Sequence, residues 1–159
     1  MVDGYSPGDS AAVIQLGNAP PFSPLVCYEI VYARFVPRGT ARPAWLVNLS
    51  NDAWFGPTAG PSQHLNIARY RAIEEGLPIA RAASGGFSGV IDAYGRTDGL
   101  IAPDAEGSFD RDLPAGLRPT LYARFGDLIC WTLWVLILCA FVFANRKSLQ
   151  SVLRTSAHR

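Results

Sequence analysis

LVCYE, Leu25 to Glu29, is the stretch on which the reading of the fold turns. Leu25 to Tyr28 is a compact apolar run suited to a buried strand, and Ile30 to Arg38 follows with partial helical spacing that Pro37 interrupts. AWLVNLS, Ala44 to Ser50, is a second buried-strand candidate, closed by the polar turn Asn51-Asp52. Strand, helix and strand in this order predict α/β layering.

Toward the C-terminus, Ser62 to Glu75 predicts a helix with Leu65, Ala68, Ala72 and Ile73 on one face, and Gly76 and Pro78 supply its stop. Leu77 to Ala83 and Phe87 to Asp92 then read as two strands joined through Ser84-Gly85-Gly86, with Tyr94-Gly95-Arg96 as the next turn. Pro103 to Pro119 is irregular and mixed in charge. Toward the N-terminus, Met1 to Pro24 is loop-like: Pro20, Pro21 and Pro24 forbid a regular helix, and only Val13 to Leu16 resembles a short strand. No internal repeat is visible.

The chain has 159 residues and a formal charge of +1, which gives no electrostatic bias toward nucleic acid. That average hides a division, because LICWTLWVLILCAFVFA, Leu128 to Ala144, contains no charged residue. It reads as a transmembrane helix over 128–145, at the short end of the roughly 20 apolar residues that cross a bilayer core. Arg146 and Lys147 can snorkel to headgroups on one side, and Trp131 and Trp134 suit the opposite interfacial belt. Equal apolarity of its two faces argues against a buried core helix. Cys130 and Cys139 lie inside this run and Cys27 stands apart in the polar part, so the three cysteines form no disulfide framework. MVDGYSPGDS lacks the apolar centre of a secretory signal, so a C-terminal span alone would leave the polar part in the cytosol.

A cysteine at the end of a buried strand and just before a helix presents its sulfur at the sheet edge, toward the positive helix end, a geometry that favours thiolate. An unassisted thiol, with a pKa near about 8.5, is only a few per cent ionised at neutral pH and needs a base and an electropositive neighbour to act as a nucleophile. Read alone, Cys27 followed by Tyr28 and Glu29 favours an inert buried thiol. His64 has no Cys or Asp at a metal-ligand spacing and reads as a solvated or hydrogen-bonded histidine, and no metal or cofactor is expected. Arg69, Arg71 and Arg81 read as helix-surface or structural pairing residues. Asn48-Leu49-Ser50 is formally a glycosylation sequon on a strand predicted to be buried, and Gly85-Gly86 suits a tight turn without the context of a phosphate loop.

Taken together, LVCYEIVY, LVNLSNDAWFG, QHLNIARYRAIEEGLPIARA, SGVIDAYGR and LPAGLRPTLYARFGD resemble, in order and spacing, the apolipoprotein N-acyltransferase family of Gram-negative bacteria, within the nitrilase or carbon–nitrogen hydrolase superfamily. The resemblance runs from about Tyr5 to the end of the apolar run. It implies the C-terminal part of a nitrilase-like αββα sandwich over 1–120, a membrane approach at 121–127, the span at 128–145 and a basic cytoplasmic tail at 146–159. It implies that Cys27 is the nucleophile, taking an acyl group from phospholipid as a thioester and giving it to the α-amine of the diacylglyceryl-cysteine of an apolipoprotein. The N–H of Tyr28 would help hold the oxyanion. Glu29 and Trp54 match functionally sensitive positions that support the pocket, although a structural hydrogen bond for Glu29 and simple packing for Trp54 remain open. The expected setting is the bacterial inner membrane, with the polar part periplasmic.

The same resemblance implies a catalytic lysine and glutamate upstream of CYE. The sole lysine here is Lys147 and no glutamate precedes Glu29, and arginine differs from lysine in both geometry and proton chemistry. The expectation is therefore a fragment whose Met1 is an internal start or truncation, inactive alone, with upstream spans that would place the polar part in the periplasm. Ser23-Pro24 and Ser84-Gly85-Gly86 depart from the family's local pattern. Two rival expectations are a membrane-anchored carbon–nitrogen hydrolase (amidase) that shares Cys27, and a non-catalytic membrane-tethered binding module.

Overall fold

The structure, a computed structural model, describes residues 12–37 and 42–146. The basic tail from Lys147 onward and the first 11 residues lie outside the described residues. Five strands form one mixed sheet in the order of the chain: β1 (Phe22–Val26), β2 (Trp45–Asn51), β3 (Ile79–Ser84), β4 (Ser88–Ile91) and β5 (Thr97–Ile101). β1, β2 and β3 run parallel, whereas β4 and β5 return antiparallel. Helix α1 (Gly60–Glu75) is the crossover between β2 and β3. The carboxyl ends of the three parallel strands therefore share one edge of the sheet.

Period-two alternation sets the inner face. Leu25, Leu46, Ile79 and Ile91 point inward and are buried, and they pack with Leu65, Ala68 and Ala72 of α1 and with Leu77 and Ile30. The inward face of α1 comprises Pro61, His64, Leu65, Ala68, Arg71, Ala72 and Glu75, a three-four spacing that places its polar members in the core too. Ile73, expected on that face, is 46% exposed because it sits about 100° round the helix from Ala72. Gly76 ends α1 in the left-handed conformation with φ 65°, and its N–H bonds to Ala72 and Ile73 carbonyls.

Two local differences from the sequence reading have physical causes. Strand β1 begins at Phe22 and includes Pro24, which an edge strand tolerates because, among the described residues, one of its sides carries a single bridge at Phe22 and no ladder. Of the helix expected over Ile30 to Arg38, the described residues as far as Pro37 form only the end of a 3-10 turn, Cys27–Val31, and Arg38 lies outside them. The Arg71 guanidinium captures the carbonyls of Ile30 and Val31, each at 3.2 Å, so they are not free to propagate a helix. Val13 to Leu16 contributes a single antiparallel bridge, Ile14 to Phe22.

The β4–β5 turn is closed by Asp92, which accepts the N–H groups of Tyr94 and Arg96 and, at 2.6 Å, the Arg96 guanidinium. Burial pushes this carboxyl up, but the bonds from Arg96 and Tyr94 outweigh it and hold it below its ordinary value. A depressed carboxylate stabilises the fold above its unfolded pKa of about 3.9, and that contribution is lost as pH falls through the lower folded value. Asp92→Ala is accordingly expected to lower the urea midpoint more at pH 6 than at pH 2. An equal loss at both values would contradict this linkage.

The contacts divide the chain into two units, one ending at Arg124 and one beginning at Phe125. The division falls before the last residue of the short helix α2 (Leu121–Phe125), whose start is capped by Thr120: its hydroxyl accepts the Ala123 N–H at 2.9 Å. The second unit holds α3 (Leu128–Ala144), a 17-residue helix that carries no buried residue. The expected span at 128–145 thus forms as a helix, but among the described residues no helix is long and apolar enough to cross a membrane. At about 1.5 Å per residue its rise is roughly 26 Å, short of the roughly 30 Å hydrocarbon core.

Candidate active site

Cys27 occupies the first position after β1, at the carboxyl edge of the parallel strands, where open α/β sheets place their ligands. Its φ is 51°, a left-handed conformation that few residues other than glycine adopt. Such a conformation costs about 1–3 kcal/mol and persists where the surroundings over-determine it. The consequence is a sharp elbow: β1 ends, the 3-10 turn Cys27–Val31 begins, and the half-buried thiol is held at the bend.

Glu29 braces this elbow. Its Oε2 accepts the Val26 N–H at 2.6 Å, so the structural hydrogen bond is the role the geometry displays. Tyr28 is 49% exposed, and its ring lies 6.3 Å from Tyr32 and 6.2 Å from the ring of His64. Trp54 sits on a second 3-10 turn, Ala53–Phe55, immediately after β2 on the same edge. It is 72% exposed and meets Phe55 at 5.2 Å, which in turn lies 6.0 Å from His64. Trp54 and Tyr28 are therefore brought onto one edge through Phe55 and His64, and Trp54 is not packed into the core.

Beneath this edge lies a polar cluster that sequence reading left as separate residues: Arg81 as a helix-surface or structural pairing residue, His64 as a solvated or hydrogen-bonded histidine, Asp52 as part of a polar turn and Asn48 as part of a sequon. Arg81, on the inner face of β3, is the direct cross-strand partner of Asn48 on β2. Its guanidinium donates to Asn48 Oδ1, to Asp52 Oδ2 at 2.6 Å and to the Phe87 carbonyl at 3.1 Å. Asp52 also accepts the Ser50 hydroxyl at 2.6 Å and faces His64 Nδ1 at 2.8 Å. Asn48 and Asp52 are 0% exposed, His64 3% and Arg81 4%. The same ring nitrogen also lies 3.2 Å from Arg81 Nη2, so His64 Nδ1 faces both members of the Arg81–Asp52 pair. His64 Nε2 is the one buried side-chain polar atom without a partner among the described residues. Burial pushes the Arg81 guanidinium below its ordinary value, and Asp52, then Cys27, pull it back up.

Asn48, on the sequon, is fully buried and donates from Nδ2 to the Leu25 carbonyl at 2.8 Å. The turn after β3 fits over the cluster because it has no side chains there: a Cβ at Gly86 would run into Asp52, and one at Gly85 would approach Ala53 to 2.6 Å. Arg69 bonds to the Gly95 carbonyl at 2.7 Å, and Arg71 pairs with Glu74, as expected of structural pairing residues. Among the described residues no group of His, Cys, Asp and Glu could hold a metal ion.

Residues 3–110 match the carbon–nitrogen hydrolase family. Apolipoprotein N-acyltransferase of Rhodopseudomonas palustris is 44% identical over 143 residues, covering 90% of this chain and 27% of that protein. That of Bradyrhizobium diazoefficiens is 44% identical over 144 residues, with coverage of 91% and 26%, and that of Brucella melitensis is 37% identical over 145 residues, with 91% and 26%. The chain thus spans about a quarter of the length of these relatives. Among solved structures, an amidase from Nesterenkonia sp. AN1 with acrylamide added at its active-site cysteine aligns with a TM-score of 0.50 at 20% identity, over 82% of this chain and 51% of that one. The same amidase in complex with butyramide aligns with a TM-score of 0.50 at 21% identity, over 82% and 50%. The likeness is one of fold, a nitrilase-like mixed sheet with its helices, and the chain belongs to the carbon–nitrogen hydrolase family.

Proposed function

We propose that this chain supplies the nucleophile-bearing part of an apolipoprotein N-acyltransferase, the C-terminal part of an αββα sandwich followed by a membrane anchor. The observation that carries the reading is Cys27 at φ 51°, held in an elbow at the carboxyl edge of a parallel sheet. The acyltransferase relatives that cover nine-tenths of the chain supply the substrate class. In the first half-reaction the Cys27 thiolate attacks the ester carbonyl of a phospholipid. An S–C bond forms, the C–O bond breaks, and the lysophospholipid leaves as an alcohol after taking up a proton. In the second, the α-amine of a diacylglyceryl-cysteine attacks the thioester. The new amide forms, the amine gives up a proton, and the thiol is regenerated.

The N–H of Tyr28 is assigned to the oxyanion that develops in both steps, because the residue after the nucleophile stands second in the 3-10 turn at the bend. Glu29 keeps the elbow in shape, and the exposed Trp54 and Tyr28 rings offer apolar surface to an acyl chain. For α3 we assign a membrane setting, with Trp131 and Trp134 toward one interface and Arg146 toward the other. The assigned topology is an inner-membrane protein whose polar unit is periplasmic and whose tail is cytoplasmic.

A graft tests this reading. Residues 5–145 would replace the matching segment of the Rhodopseudomonas palustris relative, and transfer of a labelled acyl chain from phospholipid to a diacylglyceryl-cysteine peptide would be followed. Transfer by the chimaera supports the assignment. A folded, membrane-inserted chimaera without transfer, beside an active ungrafted control, overturns it. The 159-residue chain alone is expected to form no thioester with phospholipid, because its single lysine is Lys147 and no glutamate precedes Glu29.

A further inference from the structure

We propose that Arg81 is a positioning residue for Cys27, gripping the elbow on both sides of the nucleophile through one hydrogen-bonded arm and one that ends in a ring contact. The first arm runs through the sheet: Arg81 holds Asn48 Oδ1, and Asn48 Nδ2 holds the carbonyl of Leu25, two residues before Cys27. The second runs under the edge: Arg81 holds Asp52 Oδ2, Asp52 Oδ1 holds His64 Nδ1, and the His64 ring lies 6.2 Å from that of Tyr28, one residue after Cys27. The inference rests on Cys27 being the nucleophile and adds the group that keeps it poised.

Three observations support a role beyond ordinary pairing. Cys27 is in a strained backbone region, so something must outweigh its tendency to relax, and both arms end on its neighbours. All four side chains of the clamp are buried, where hydrogen bonds are strong and discrete in geometry. The fork of Arg81 suits this task, since its donors reach Asn48, Asp52 and the Phe87 carbonyl at once, which an ammonium on a flexible stem cannot do.

The test is alkylation of the full chain by iodoacetamide at fixed pH, with the Cys27, Cys130 and Cys139 peptides separated by mass spectrometry. Amide exchange of β2 and β3 is measured in parallel. Arg81→Gln is expected to slow Cys27 alkylation by about tenfold while Cys130 and Cys139 are unaffected, since the clamp that keeps the sulfur presented at the elbow is gone. Asn48→Leu, which cuts the first arm alone, should slow it by about threefold. A Cys27 rate within about twofold of the parent in Arg81→Gln, with β2 and β3 still protected, would overturn the proposal. If Arg81→Gln loses that protection, His64→Asn decides: it keeps a donor for Asp52 and removes the ring beside Tyr28. A slowed Cys27 in the protected variant supports the clamp, and an unchanged one refutes it. Acyl transfer that survives Cys27→Ser in the chimaera would instead refute the nucleophile itself and leave the alkylation result standing.

Discussion

Cys27→Ser in the chimaera is expected to reduce acyl transfer by on the order of 10⁴-fold or more, with the protein still inserted and folded. Serine preserves the volume at the elbow and can occupy the same backbone conformation, but its hydroxyl is far less ionised and less nucleophilic than a thiol. The two half-reactions share one sulfur, so no second route is open through the same elbow. In the proposed function the exposed rings of Tyr28 and Trp54 are what meets the phospholipid, so its binding should change little. A large rise in KM with kcat retained would place the effect in binding and contradict the nucleophile assignment.

Asp52→Ala carries the largest expected effect on stability. Asp52 is fully buried and is the only carboxylate among the described residues that bonds to Arg81, while also holding His64 and Ser50. Removing it leaves a buried guanidinium without its countercharge, a change that costs about 3–5 kcal/mol. Against a typical total of about 5–15 kcal/mol, that is enough to bring the polar unit close to unfolding. Asp52→Asn keeps an acceptor for Arg81 and should cost less. Urea unfolding followed by tryptophan fluorescence checks both, and equal midpoints for Asp52→Ala and the parent would show that the pair contributes nothing net.

Much of the sheet was legible because its strands announce themselves as apolar runs. AWLVNLS and β2 differ by one residue at each end, and Ser62 to Glu75 misses only the first two residues of α1. β5 was less visible: TDGLI contains Asp98 and Gly99, which are poor strand formers, and the segment is held by its pairing with β4. The short helix α2 was hidden for a related reason, since five residues carry no period.

The site divides along a similar line. Cys27, Tyr28 and Glu29 are contiguous and Trp54 lies in a recognisable turn, so motif reading could name them. The φ of Cys27, by contrast, is set by tertiary contacts. Asp52, His64 and Arg81 are brought together by the β2–β3 register and by the rotation of α1, neither of which spacing encodes. A signal was nonetheless present: Asn48 and Arg81 are polar residues at inward positions of apolar strands, and such residues need a buried partner. Here they are each other's.

The most direct measurement is mass spectrometry of the Cys27 peptide from the chimaera after brief exposure to phospholipid, without acceptor. The expected result is an acyl-sized mass increment on Cys27, removable by hydroxylamine and lost on adding a diacylglyceryl-cysteine peptide as the amide product appears. Transfer that proceeds with Cys27 never acylated, or with the increment on another residue, would contradict it.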